Sequence, residues 1–185
     1  MNLLSPTLLI ASLAITAIIF AIVAFFSRAG LRRIIGVLLA AIPIIPMVMS
    51  YDTIASQFGW WHYPSVTAAS APLAWYVAAA LGYGAAFGLV GWRVIRRWEM
   101  RGLLVYLLLF ALFGVARDYG YSVTTQFILF GPGPIPLLAD LFAYGSAAAV
   151  VQLLMRWIVG SARSDALART PKATPQDHPP TRERQ

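Results

Sequence analysis

Asp140 is the side chain in this 185-residue chain best suited to acid–base chemistry. It stands inside a long apolar run with no charged residue nearby. A carboxyl in such a setting is costly, so it is either held neutral or set beside a cation or hydroxyl, and it is a functional candidate by default. Arg117 is its expected partner, because both fall near the same ends of neighbouring apolar runs; the competing expectation is a pair that only fixes helix packing. Asp118, Asp52 and His62 complete a set of ionisable groups predicted at similar depth, accompanied by Trp61, Tyr63, Tyr121 and Tyr144. One buried carboxylic acid beside an apolar pocket can protonate an olefin or a leaving group. The expected catalytic residues are therefore Asp140, Asp118 and Arg117, with Asp52, Trp61, His62, Tyr63, Tyr121 and Tyr144 contacting substrate. Asp52, His62, Asp118 and Asp140 could together hold a metal ion, but they lack close ligand spacing of the H-E-x-x-H kind, so no metal and no cofactor is assigned. The sequence has no G-x-S-x-G elbow, no phosphate-binding loop and no lysine inside an apolar run that could form a Schiff base.

The elements that must position these groups are apolar spans. With 59% hydrophobic residues, 11% charged residues and a mean hydropathy of +0.72, the composition does not suit a water-soluble domain. Runs at 6–26, 34–49, 72–92, 102–116 and 134–158 predict an all-α integral membrane protein, a bundle of about five transmembrane helices. Arg28, Arg32 and Arg33 follow the first run, Arg93, Arg96, Arg97 and Arg101 the third, and the positions from Arg156 onward the fifth. Loops that keep arginine stay cytoplasmic, which predicts the N-terminus outside, the C-terminus inside and Arg117 as the one cation on the outer side. The expected location is the bacterial inner membrane. The net charge of +7 then reflects topology and contact with anionic lipid headgroups, not nucleic-acid binding. Zero cysteines exclude disulfides, thiolate metal sites and cysteine nucleophiles.

Residues 1–160 read as one bundle domain and 161–185 as a disordered cytoplasmic tail, too polar to offset the entropy of ordering, with His178 solvated. The first run is too long for a signal core and lacks a preceding positive charge, so it reads as an uncleaved anchor. Pro43 and Pro46 predict a kink in the second run. Trp60, Trp61 and Tyr63, in the mildly polar segment 51–71, are expected along the outer membrane surface, where an apolar ring and a polar tip are both accommodated. Gly82, Gly84, Gly88 and Gly91 mark the third span as closely packed, and Gly84-x-x-x-Gly88 allows helix approach within the chain or in a homo- or hetero-oligomer. Residues 131–136, Gly-Pro-Gly-Pro-Ile-Pro, start the fifth helix. No internal repeat is evident.

Beginning at Asp52, the chain resembles the small membrane-embedded lycopene cyclase domain family of carotenoid biosynthesis. The family pattern has an aspartate after the second helix, glycine seven residues on, then tryptophan and tyrosine at two-residue steps; here these are Asp52, Gly59, Trp61 and Tyr63. A proline, a small apolar residue and two glutamates follow in the family, where this chain reads Pro72-Leu73-Ala74-Trp75. The resemblance spans about 51–76 and implies a multi-helix scaffold handling an apolar isoprenoid, with Asp140 or Asp118 replacing the missing acids. Two other classes fit the residues: a non-catalytic membrane protein that binds lipid or pigment or stabilises a complex, and a small dimeric transporter, since five spans without paired half-helices need a second copy.

Overall fold

The computed structural model describes residues 6–64 and 72–162, and its regular structure is helical apart from two short strands. The polar tail expected beyond 161 lies, from residue 163 onward, outside the described residues, as do residues 65–71 of the segment after the second run. Four helical stretches are long and apolar enough to cross a membrane: Leu9–Phe26, Leu31–Phe58, Leu73–Thr125 and Ile135–Val159. α1 (Pro6–Phe26) leaves Ile10, Ile15, Ile18 and Ile22 at least half exposed. In water that surface would cost on the order of 25 cal/mol per Å²; against lipid it costs nothing.

α2 (Leu31–Ala41) and α3 (Ile44–Phe58) form one stretch bent at Ile42 and Pro43. Pro43 precedes α3 and Pro46 falls in its first turn, where a missing N–H breaks no helical bond. The bend expected from the prolines is present. The helix, however, runs on past the predicted end at residue 49, so Asp52 sits inside α3 and not in a following loop. Gly59, with φ +67°, closes α3 in the left-handed conformation that glycine adopts without strain.

α4 (Leu73–Ala79) passes through a π-helical stretch, Ala80–Ala86, into α5 (Phe87–Thr125). These 53 residues would span about 80 Å if straight, against roughly 30 Å of hydrocarbon. They are not straight. Glu99 breaks the helix with φ 55° and ψ −130°, and the chain doubles back, so that Tyr106 Oη donates a 3.0 Å hydrogen bond to the Phe87 carbonyl and the Phe87 and Phe110 rings lie 5.1 Å apart. α5 also continues beyond the predicted end at 116, placing Arg117, Asp118 and Tyr121 within the helix.

α6 (Ile135–Val159) packs along α5 and α2. Gly84 and Gly88 make the close approaches their spacing predicts, against the chain's own helices: a Cβ on Gly84 would lie 2.9 Å from that of Ala41, and one on Gly88 2.8 Å from Val37 and Val151. Val37, Ile44, Leu89, Val151 and Met155 form the dry core around them.

Two extended segments depart from the all-α expectation. β1 (Trp61–His62) and β2 (Leu129–Phe130) pair antiparallel, Trp61 opposite Phe130 and His62 opposite Leu129. The segments leaving α3 and α5 thereby satisfy each other's backbone groups, and Gly131 N–H adds a 2.8 Å bond to the Trp60 carbonyl. A side chain on Gly131 would strike the Gly59 carbonyl. Trp61, expected along the membrane surface, is instead buried with Ala55 and Ile128.

Candidate functional site

A cavity of about 290 Å³ lies among α1, α3, α4, α5 and α6, walled mainly by apolar and aromatic side chains. Asp52, Trp61, Tyr63, Arg117, Asp118, Tyr121, Asp140 and Tyr144 all line it. Groups from β1, the residue after it and three different helices, separated by up to about half the chain, therefore converge. His62 does not join them. Successive strand residues face opposite sides, and with Trp61 turned inward His62 points out and is exposed.

Asp52 accepts two hydrogen bonds on Oδ1, each 3.1 Å long, from Trp61 Nε1 and Tyr63 Oη. Tyr76, fully buried, is a further neighbour. This explains why β1 folds back over the end of α3: its tryptophan and tyrosine complete the coordination of a carboxylate that the helix alone leaves bare. Burial, and then the adjacent Asp52 and Asp118 carboxylates, push the Tyr63 hydroxyl well above the ordinary phenol range.

Asp118 is held by Arg117 and Tyr144. Arg117 Nε donates to Asp118 Oδ1 at 2.7 Å, Arg117 Nη2 donates to the same oxygen and to Tyr144 Oη, and Tyr144 Oη donates to Asp118 Oδ2 at 2.8 Å. Adjacent residues on a helix point away from each other. The pair closes because the long Arg117 side chain folds back, and three rings hold it there: its Cζ lies 4.4 Å from the Tyr83 centroid, 5.4 Å from Tyr144 and 5.8 Å from Tyr121. Such cation–π contacts are strongest when desolvated. Gly114 makes room for the Tyr144 ring, since a Cβ there would overlap it.

Asp140 is 4% exposed and its Oδ2 has no hydrogen-bond partner among the described residues. The expected Arg117–Asp140 pair is therefore replaced. Arg117 donates instead to Asp118 and Tyr144, which α5 and α6 respectively place within reach of a folded-back side chain. The three carboxyls thus differ: Asp52 is bound by neutral donors, Asp118 by a cation and a phenol, and Asp140, at the cavity wall, keeps a buried Oδ2 unpartnered among the described residues.

Sequence reasoning missed Tyr83, Trp75 and Phe127. Tyr83 arises from the π-helical stretch, an irregularity frequent at functional sites, and it is the one large side chain in Gly82-Tyr83-Gly84. That contrast is the signal that could have marked it. The tilted rings of Trp75 and Phe127 have centroids 5.2 Å apart, and Tyr63 lies 5.5 Å from Phe127, making an aromatic wall beside the carboxyl groups. No protein-family model, curated protein or solved structure matches this chain.

Proposed function

We propose that this protein is a lycopene-cyclase-like integral membrane protein that receives one end of an apolar isoprenoid in the cavity and acts on it by acid catalysis. The carrying observation is Asp140, buried on the cavity wall with Oδ2 unpartnered. Asp52 and Asp118 are engaged as acceptors, whereas among the described residues that oxygen has no hydrogen-bond partner. The Asp140 acid adds its proton to the terminal double bond of the end group, leaving a carbocation on the neighbouring carbon. An internal double bond of the same chain attacks it, forming the ring carbon–carbon bond. An adjacent carbon then returns a proton to the Asp140 carboxylate, which restores both alkene and acid, so the net change is an isomerisation. The faces of Trp75 and Phe127 suit the transient cation, Arg117, Asp118 and Tyr83 fix the polar end, and Asp52, Trp61, Tyr63, Tyr121 and Tyr144 shape it.

In this reading the chain crosses the bacterial inner membrane five times, with the break at Glu99 as a cytoplasmic turn, the N-terminus outside and the C-terminus inside. Arg93 Nη1 donates to the Phe26 carbonyl and Arg33 lies close to Arg96, which supports one shared end for both arginine groups. Lipid, and not nucleic acid, is the medium these arginines meet.

Non-catalytic binding of a pigment or lipid is a second reading. It is favoured by Trp75, which stands on the cavity wall at one of the two positions where the family has glutamate. Mass spectrometry of organic extracts from the purified protein tests both: each expects a reproducible isoprenoid or lipid, and its absence overturns both. Conversion of lycopene separates them.

A further inference from the structure

The cavity is small for the ligand it is proposed to receive. Pockets that enclose a whole drug-sized molecule run from roughly 300 to 1,000 Å³, and this one measures about 290 Å³. A long isoprenoid can place one end there, and the rest of its chain must leave through a wall. α5 and α6 pack closely along each other, and α1 packs on α4 and the π-helical stretch. α1 and α3 behave differently. Ser12 and Thr16 of α1 line the cavity together with Ile44, Val48 and Tyr51 of α3, yet the two helices scarcely touch. The seam between them is apolar in character, because the Thr16 hydroxyl is already bonded to its own helix, 2.9 Å to the Ser12 carbonyl and 3.0 Å to that of Leu13. Its methyl group packs toward Gly82, so Ile44 and Val48 supply the apolar wall of the seam. Exposed Ile15 on α1 and Met49 on α3 are surface that a bilayer covers.

We propose that the seam between α1 and α3 is a second part of the binding site, open to lipid, which holds the apolar chain of an isoprenoid whose end group lies in the cavity. The ligand is admitted sideways from the bilayer, with its end group foremost toward Asp140. This deepens the reading of the cavity as an isoprenoid site and rests on it. The seam sets which substrates fit: a slender acyclic polyene chain bearing only methyl branches passes between Ser12 and Val48, whereas a ligand bulky along its length does not.

The test uses two probes, lycopene as the long ligand and β-ionone as a ligand no larger than the end group. Full-length protein is equilibrated with each in mixed micelles and captured, and the retained probe is quantified by mass spectrometry. Val48→Phe and Ser12→Phe fill the seam from opposite sides. Because Ser12 and Val48 also border the cavity, each is expected to lower retention of both probes unequally: lycopene about tenfold, equivalent to the loss of two or so methylene contacts, and β-ionone, which needs only the Asp140 end, several-fold less. Lycopene held at the native level by either variant would overturn the seam, and so would equal loss of both probes, which places the effect in the cavity itself. Failure of the unsubstituted protein to retain either probe would instead overturn the isoprenoid reading, and the seam with it.

Discussion

Arg117 and Asp118 are chain neighbours whose side chains grip each other inside the cavity, with Tyr144 of α6 closing the contact to both. The pair ties α5 to α6, and it keeps the guanidinium engaged away from Asp140. Asp118 is thereby better described as the group that positions Arg117 than as a proton donor.

Breaking one member of this cluster should cost more than removing both. A single Arg117→Gln or Asp118→Asn leaves an uncompensated buried charge, and losses of about 3–5 kcal/mol are typical; the lower end applies here because the Arg117 side chain keeps 20% exposure. The double variant should lose less than the sum of the singles. A double-mutant cycle from detergent-driven unfolding measures the coupling, and additive losses would show that the two residues do not act as a unit.

Tyr63→Phe removes a hydrogen bond to Asp52 and should cost about 1 kcal/mol near neutral pH. The native Tyr63 hydroxyl stays protonated where an unfolded-chain tyrosine ionises, near pH 10, because its folded value is raised. Above that pH the native state binds the extra proton, so its stability falls as pH rises. The stability gap between native and Tyr63→Phe proteins should be constant below about pH 10 and narrow above it. A gap that widened with pH would contradict the assignment.

Gly114→Ala should destabilise by about 1–3 kcal/mol through overpacking against Tyr144, despite the better helix propensity of alanine. Gly145→Ala is the control. Its Cβ would meet Ala111 Cβ at 3.9 Å, an ordinary contact, so propensity should leave it neutral or slightly stabilising. Thermal unfolding of the two variants in detergent decides the matter.

Because the chain has no cysteine, single cysteines report topology cleanly. Gly133→Cys should react with a membrane-impermeant maleimide added outside intact cells, and Arg97→Cys only after lysis. Equal labelling of both in intact cells would contradict five crossings.

The acidic convergence was legible because a carboxylate in an apolar run has few places to go. Asp140 was marked by that cost, Asp52 and Asp118 by their similar predicted depth, and all three reach one cavity. The helix ends were not legible for a related reason: polar residues at 52 and 117–118 read as leaving the apolar phase, whereas in the fold they turn inward and the helices continue around them. The partner of Asp140 was also misjudged, since pairing by depth ignores how far an arginine can fold back along its own helix. His62 was misplaced because a two-residue strand carries too little alternation to show which of its residues faces in. Tyr83 and Trp75 stayed hidden because an aromatic residue in an apolar span looks the same whether it faces lipid or lines a cavity, and Phe127 because it falls in the connection between two spans.

The central claim is that Asp140 acts as an acid on an isoprenoid end group. Its most direct test is pigment chromatography of lycopene-accumulating bacteria that express either the native chain or Asp140→Asn, with membrane insertion of both verified. The account predicts a cyclised product with the native chain and lycopene alone with the variant. Unchanged lycopene with the native chain, or the same cyclised product with Asp140→Asn, would contradict it.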